Sequence, residues 1–255
     1  MRIFIILLIF LETLFSSDFN ILSFNLHALP PVLARDNPKK RIIKIINDAN
    51  SYDIIFFQEN WIFSKKYLKK ISPKFNWYVS KDSGLTTAIS KQFFIVRQKN
   101  ESFKDCSGWL FKASDCFANK GFQHSKIKID NQILELFNTH LDAGSSKSDI
   151  SVRELQLNHI IKYIKTYSNS YPLILAGDLN IDYLNKKEIY PLDILKNELK
   201  LNQVNWSIDK TIHSEMLDYI FYRNTALVGN VYGVNRELDG FSDHPPIEST
   251  FRLDN

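Results

Sequence analysis

The stretch PLILAGDLNIDY, residues 172–183, constrains the fold more than any other part of the chain. Leu173 to Ala176 form an uninterrupted apolar run, the pattern of a strand buried on both faces, and Gly177 breaks it just before Asp178 and Asn180. Alternate residues of an extended chain project to the same side, so Asp178 and Asn180 share a face. One carboxylate and one carboxamide at the mouth of an apolar strand form a place to orient water, a metal or a phosphate. Gly, Asp and Asn also favour turns, so taken alone the stretch reads equally well as a strand that simply stops. What else in the chain can reach this spot decides between the two.

The same pattern recurs along the chain. FNILSFN, residues 19–25, alternates as a strand and closes on Asn25, after which His27-Ala-Leu-Pro-Pro forces a turn. A helix is expected over 39–49, and Ile54 to Phe57 then reads as a central strand delivering Gln58 and Glu59. A short helix over 64–71, a strand from Trp77, and a hairpin pairing 85–90 with 93–96 follow, with a polar loop over 98–108. Asp130-Asn131 is a tight turn between strands 125–129 and 132–138, and the second strand ends in FNTHLDAG, which places His140 just past it. Residues 151–168 form a helix opened by a Ser151/Glu154 capping box, with Arg153 one turn before Leu157 and directed into the fold. After a helix at 188–199, Asp218 lies inside the apolar strand MLDYIFY, where a carboxylate is costly unless paired. The chain closes with FSDHPPIESTF, in which Asp243-His244 precede two prolines. Strands mixed with helices throughout, with neither repeat nor long linker, argue for a single α/β unit over 18–255.

Residues 1–17, MRIFIILLIFLETLFSS, read as a secretory signal peptide: one Arg, an apolar run too short for a membrane span, and small residues at the end. That predicts a secreted or periplasmic mature chain with no transmembrane anchor. Cys106 and Cys116 are the only cysteines; in an oxidising compartment they could close one small loop, and elsewhere they are two free thiols. The formal charge of +4 is too modest to identify a partner.

LSFNLHALP, FFQEN, NTHLDAG, AGDLN, LDYIF and FSDHPPI, in that order, make the chain resemble the endonuclease/exonuclease/phosphatase superfamily of DNase-I-like nucleases, inositol-polyphosphate phosphatases and neutral sphingomyelinases. The resemblance covers residues 20–250 and is closest to the neutral and secreted sphingomyelinases, through Asn25-Leu-His-Ala-Leu-Pro, Asp115-Cys-Phe-Ala-Asn-Lys-Gly121 and Arg153-Glu-Leu-Gln156. The Trp-Cys-Asp-Arg segment of the 5-phosphatases is replaced here by MLDYIFYR, and the long aromatic hairpin of bacterial sphingomyelinases has no obvious counterpart between Asp218 and Asp243. Trp61, Phe63 and Trp109 are then the candidates for interfacial contact, with Trp77 assigned to the core.

The resemblance implies a four-layer α/β sandwich, with two mixed β-sheets packed face to face and helices outside, and a role for each strand-end residue. His244 is the general base and Asp218 holds its other ring nitrogen. Glu59 and Asn25 hold Mg²⁺, with Asp243 on the metal side or anchoring His140. Asp178 aligns the attacking water, Asn180 donates to a phosphoryl oxygen, and a protonated His140 stabilises transition-state charge. Lys120 and Arg153 are expected near the substrate phosphate. The implied function is a monomeric, Mg²⁺-dependent phosphodiesterase acting on a phospholipid headgroup at a membrane surface. A DNase-I-like endonuclease acting on nucleic acid and an inactive binding module of the same fold are the alternatives.

Overall fold

The computed structural model describes residues 18–29, 37–107, 116, 118–168, 170–186, 188–205, 213–228 and 233–253. In chain order the elements are β1 (Phe19–Ala28), α1 (Pro38–Asp48), β2 (Ile54–Asn60), α2 (Lys65–Ile71), β3 (Phe75–Val79), β4 (Thr86–Ser90), β5 (Phe94–Ser102), β6 (Gly121–Ile129) and β7 (Gln132–His140). Then come α3 (Lys147–Tyr167), β8 (Leu173–Asp178), α4 (Tyr190–Leu199), β9 (Asn202–Gln203), β10 (Asp218–Arg223), β11 (Thr225–Leu227), β12 (Gly233–Val234) and β13 (Ile247–Leu253). One sheet runs β11-β13-β1-β2-β4-β3, with β12 also paired to β13, and the other runs β5-β6-β7-β8-β10-β9. Each contains one parallel pair, β1 with β2 and β7 with β8, among antiparallel neighbours.

Strand periodicity sorts the side chains into layers. Phe19, Ile21, Ile54 and Phe56 meet Leu134, Leu136, Ile174, Ala176 and Ile220 in the core between the sheets. Leu22, Phe24, Ile55 and Phe57 face the other way and pack against Ile42, Ile45 and Ile46 of α1 and Leu68 of α2. On the second sheet, Phe137, Leu175 and Phe221 are covered by Leu157 and Ile160 of α3 and Leu192 and Leu195 of α4. The order helix, sheet, sheet, helix is the four-layer sandwich.

This layering positions polar residues at one end of the inter-sheet core. Asn25 continues the inward series Phe19, Ile21, Ser23, and Asp178 continues Ile174, Ala176. In the second sheet the register pairs His140 with Asp178 and Asp178 with Asp218, so three strands contribute one residue each to a single row.

Four local expectations change. Residues 85–90 and 93–96 do not form a hairpin: β4 pairs with β2 and β3, whereas β5 pairs with β6 in the opposite sheet. Phe93 is buried in the inter-sheet core at this crossing, and strand structure replaces the expected loop as far as Ser102. The long helix starts earlier, capped by a reciprocal Ser146/Asp149 box instead of Ser151/Glu154. Phe63 is buried and stacks on Tyr67, so it is a core residue and not an interfacial one. Trp77 is buried as expected. Cys106 and Cys116 are joined by a disulfide with Cα atoms 5.2 Å apart. Residues 1–17 and Trp109 lie outside the described residues. Among the described residues, no helix is long and apolar enough to cross a membrane.

Gly177 precedes Asp178 with φ +142°, and an added Cβ would lie 2.0 Å from the Thr139 carbonyl oxygen on the neighbouring strand. Gly177→Ala is therefore expected to destabilise the protein by about 3 kcal/mol, through strain and loss of strand pairing beside Asp178. Equilibrium chemical denaturation checks this, and a loss below about 1 kcal/mol contradicts it.

Candidate functional site

Asn25 joins the two sheets. Its amide nitrogen donates to Asp178 Oδ2 at 2.9 Å and to Glu59 Oε1 at 3.2 Å, while its Oδ1 accepts from the His27 backbone at 3.0 Å. Glu59, at the end of β2, has a left-handed backbone with φ +54°. His27 Nδ1 lies 3.6 Å from Glu59 Oε2 and 3.3 Å from Asp243 Oδ2. Asn25, Glu59 and Asp243, all expected on the metal side, are thus gathered into one group, with His27 as the intermediary.

On the opposite side of Asp178, His244 Nδ1 is 2.7 Å from Asp218 Oδ2, and its Nε2 is 3.7 Å from Asp178 Oδ2. The Asp218 carboxylate at the start of β10 therefore has the partner that its burial demanded. His140 Nε2 is 3.5 Å from Asp178 Oδ2 and 3.0 Å from Lys120 Nζ, and that ammonium also donates to the Leu141 carbonyl at 2.7 Å. Asn180 donates through Nδ2 to the same carbonyl at 2.9 Å, and its backbone N–H donates to Asp178 Oδ1 at 2.9 Å. Asn180 itself has φ +50°, a left-handed conformation that an Asn tolerates better than most residues.

Burial dominates the titration of these groups. It pushes the Asp178 carboxyl up to about 6, assisted by the charge of Asp218 and opposed by His244, Lys120 and the Asn25 hydrogen bond. Burial likewise raises Glu59, against the Asn25 donor and Lys120. For His244 burial acts downward, but Asp218 and Asp178 together outweigh it and hold the imidazole well above its ordinary value. His140 goes the other way: burial, then Lys120, then His244 hold it well below. A protonated His140 is accordingly replaced by a neutral imidazole, and the buried Lys120 ammonium is the cation on this side of the site.

Arg153 is buried but is not brought into the cluster. Its guanidinium donates to the carbonyls of Asp142 and Gly144 and pairs with Glu188 at 3.5 Å, bracing the segment after β7. Two contributions were missed from the sequence. From the sequence His27 reads only as part of a turn, although its position two residues beyond a strand-end Asn is a usable signal. Gln58 and Asn138 form a buried amide pair across the sheets, Nε2 to Oδ1 at 2.8 Å, a meeting of two strands that neither motif encodes alone.

Asp178, Asp218 and His244 offer ligand atoms within 4.8 Å of one another, an acidic and imidazole set of the kind that holds a metal ion. Asp218 Oδ2 is committed to His244, which leaves Oδ1, buried without a hydrogen-bond partner, as the Asp218 oxygen open to a cation. On the other side, the buried Asp178 and the half-buried Glu59 are two carboxylates served by one amide, both with raised affinity for protons. Under-compensated negative charge among oxygen donors fits a hard divalent cation.

The profile of the Endonuclease/Exonuclease/phosphatase family matches residues 19–244. Over 77 residues the chain is 35% identical to sphingomyelinase C of Bacillus cereus, a stretch that takes in 28% of this chain and only 23% of that relative's length. Among solved structures, a variant of beta toxin from Staphylococcus aureus with bound magnesium ions is similar at a TM-score of 0.69 and 21% identity, over 93% of this chain and all of that one. D. rerio TDP2 complexed with a single-strand DNA product is similar at a TM-score of 0.68 and 20% identity, again over 93% of this chain and all of that one. At these identities the structural likeness is one of fold.

The position of Asp178 has a measurable consequence for stability. It keeps its proton to about pH 6 in the fold but only to about pH 3.9 in an unfolded chain, so folding loses that advantage as pH rises through this window. In chelator, Asp178→Asn is expected to gain unfolding temperature over the wild type as pH rises from about 4 to about 6, with the gain level above that. Thermal melts across this range check it, and a difference that does not change with pH contradicts it.

Proposed function

The chain belongs to the endonuclease/exonuclease/phosphatase family, and we propose that it is an exported, Mg²⁺-dependent phosphodiesterase that cleaves the headgroup ester of a sphingomyelin-type phospholipid. Hydrolysis is supported above all by one observation: His244 has one ring nitrogen on Asp218 and directs the other toward Asp178. The first nitrogen is fixed by a carboxylate, which sets the tautomer and leaves the second for proton transfer. Support for a lipid substrate comes from the named sphingomyelinase C relative, and support for Mg²⁺ from the buried oxygen donors and from the ion-bearing beta toxin.

Asp178 orients a water and His244 accepts its proton as the oxygen attacks phosphorus. The bond from phosphorus to the lipid alcohol oxygen breaks, that oxygen regains a proton, and one water is consumed per ester cleaved. Lys120 carries positive charge toward the phosphoryl oxygens, and Asn180 retains one amide hydrogen for them beyond its bond to Leu141. Neutral His140 serves as a hydrogen-bonding group. Glu59 and Asn25 would hold a Mg²⁺, which would supply Lewis-acid charge to the phosphoryl group, and a cation beside Asp178 would draw His244 back toward the neutral form of a base. Support for export comes from the apolar segment within residues 1–17.

The protein from Asp18 onward, offered sphingomyelin vesicles, plasmid DNA and a soluble inositol phosphate in Mg²⁺ or in chelator, is expected to cleave the lipid alone and only with Mg²⁺. His244→Ala is expected to lower that rate at least about 10²-fold. Plasmid nicking with no headgroup release turns the assignment to a nuclease, and full activity in His244→Ala overturns the mechanism.

A further inference from the structure

The segment that follows Asn180 carries three large apolar side chains in solvent: Tyr183 is 42% exposed, Leu184 40% and Tyr190 69%. Their exposure belongs to a firmly held backbone. Asp182 Oδ1 accepts from the backbone N–H groups of Leu184 and Met216, each at 3.0 Å, and the Tyr183 N–H donates to the Met216 carbonyl at 3.0 Å. Asn185 donates to Glu188 Oε1 at 2.7 Å, and Arg153 pairs with the other Glu188 oxygen at 3.5 Å. The acidic groups of the segment are therefore turned inward onto protein partners, while the apolar side chains and the exposed Lys186 between them point outward.

We propose that Tyr183, Leu184 and Tyr190 form the face on which this protein seats itself on a phospholipid surface. The inference deepens the lipid-cleaving function proposed above and rests on it. Tyrosines with an apolar ring and a polar tip, beside Leu and an exposed Lys, match the layer where acyl chains give way to phosphate headgroups. The charge is complementary, since Lys186 meets lipid phosphate. Position is matched as well: the face begins three residues after Asn180, at the end of β8 that carries Asp178, and the Tyr183 backbone is bonded to Met216, two residues before Asp218. Phe63, expected at the interface, is buried and takes no part in this face.

The test uses flotation of the mature protein, held in chelator so that no lipid is consumed, with vesicles of equimolar phosphatidylcholine and sphingomyelin. The combined Tyr183→Ser, Leu184→Ser, Tyr190→Ser variant is expected to bind these vesicles about tenfold or more weakly than wild type. Its Mg²⁺-dependent hydrolysis of soluble bis(p-nitrophenyl) phosphate is expected to stay within about twofold of wild type, which separates a lost surface from a lost fold. In a second variant, Tyr183→Trp, emission is expected to shift to the blue when vesicles are added. Equal vesicle binding by the triple variant, or an unmoved Tyr183→Trp emission, overturns the proposal. So does loss of oligonucleotide binding in the triple variant with vesicle binding intact, which assigns the face to nucleic acid. Vesicle binding that depends on these residues in a protein unable to cleave sphingomyelin upholds the docking face and removes the substrate assignment instead.

Discussion

The 2.9 Å hydrogen bond from Asn25 to Asp178 crosses from one sheet to the other, and the site exists only while both sheets hold their register. Asn25 is the inward residue at the end of β1, and Asp178 the inward residue at the end of β8. A slip of one residue in either strand would turn its polar group to the helix-covered outer face. The apolar core between the sheets therefore sets the geometry of the chemistry, since Ile21 and Phe56 on one side and Ala176 and Ile220 on the other fix which faces meet. The cost is visible in the same place. A buried and a half-buried carboxylate sharing one amide are poor for stability without a compensating cation, the kind of local conflict expected where function is built into a fold.

His244 comes from a loop, so its placement needs separate support. Arg41 of α1 supplies part of it, donating to the carbonyls of Leu26 and His27 at the end of β1 and to that of Phe241 at 2.9 Å. His213 contributes more, with Nε2 2.7 Å from Asp239 and Nδ1 3.3 Å from the Asp243 carbonyl. Leu238 of the same loop is buried against the helix layer. The loop is thus tied to β1, to α1 and to the segment before β10, which gives a loop residue the fixed position that general-base chemistry requires.

Much of this was legible from residue order because strand periodicity is local. Short apolar runs ending in Asn25, Glu59, His140 and Asp178 identified both the strands and the residues at their mouths, and the costly Asp218 called for the partner that His244 provides. Other features depend on encounters between distant segments. The crossing from β4 to β5 resembles a hairpin because proximity in sequence cannot reveal which sheet each strand joins. The low proton affinity of His140 follows from its burial beside Lys120, 20 residues earlier, and no local pattern encodes that. Two Ser-x-x-acid patterns competed for the start of α3, and the loop geometry that selected Ser146 and Asp149 is tertiary.

Whether Glu59, Asn25 and Asp178 are built for a divalent cation is open to direct measurement. Calorimetric titration of the chelator-stripped protein with Mg²⁺ is predicted to show saturable binding that raises the unfolding temperature, with both effects lost in Glu59→Gln. Binding and thermal stabilisation that persist unchanged in Glu59→Gln would contradict the account.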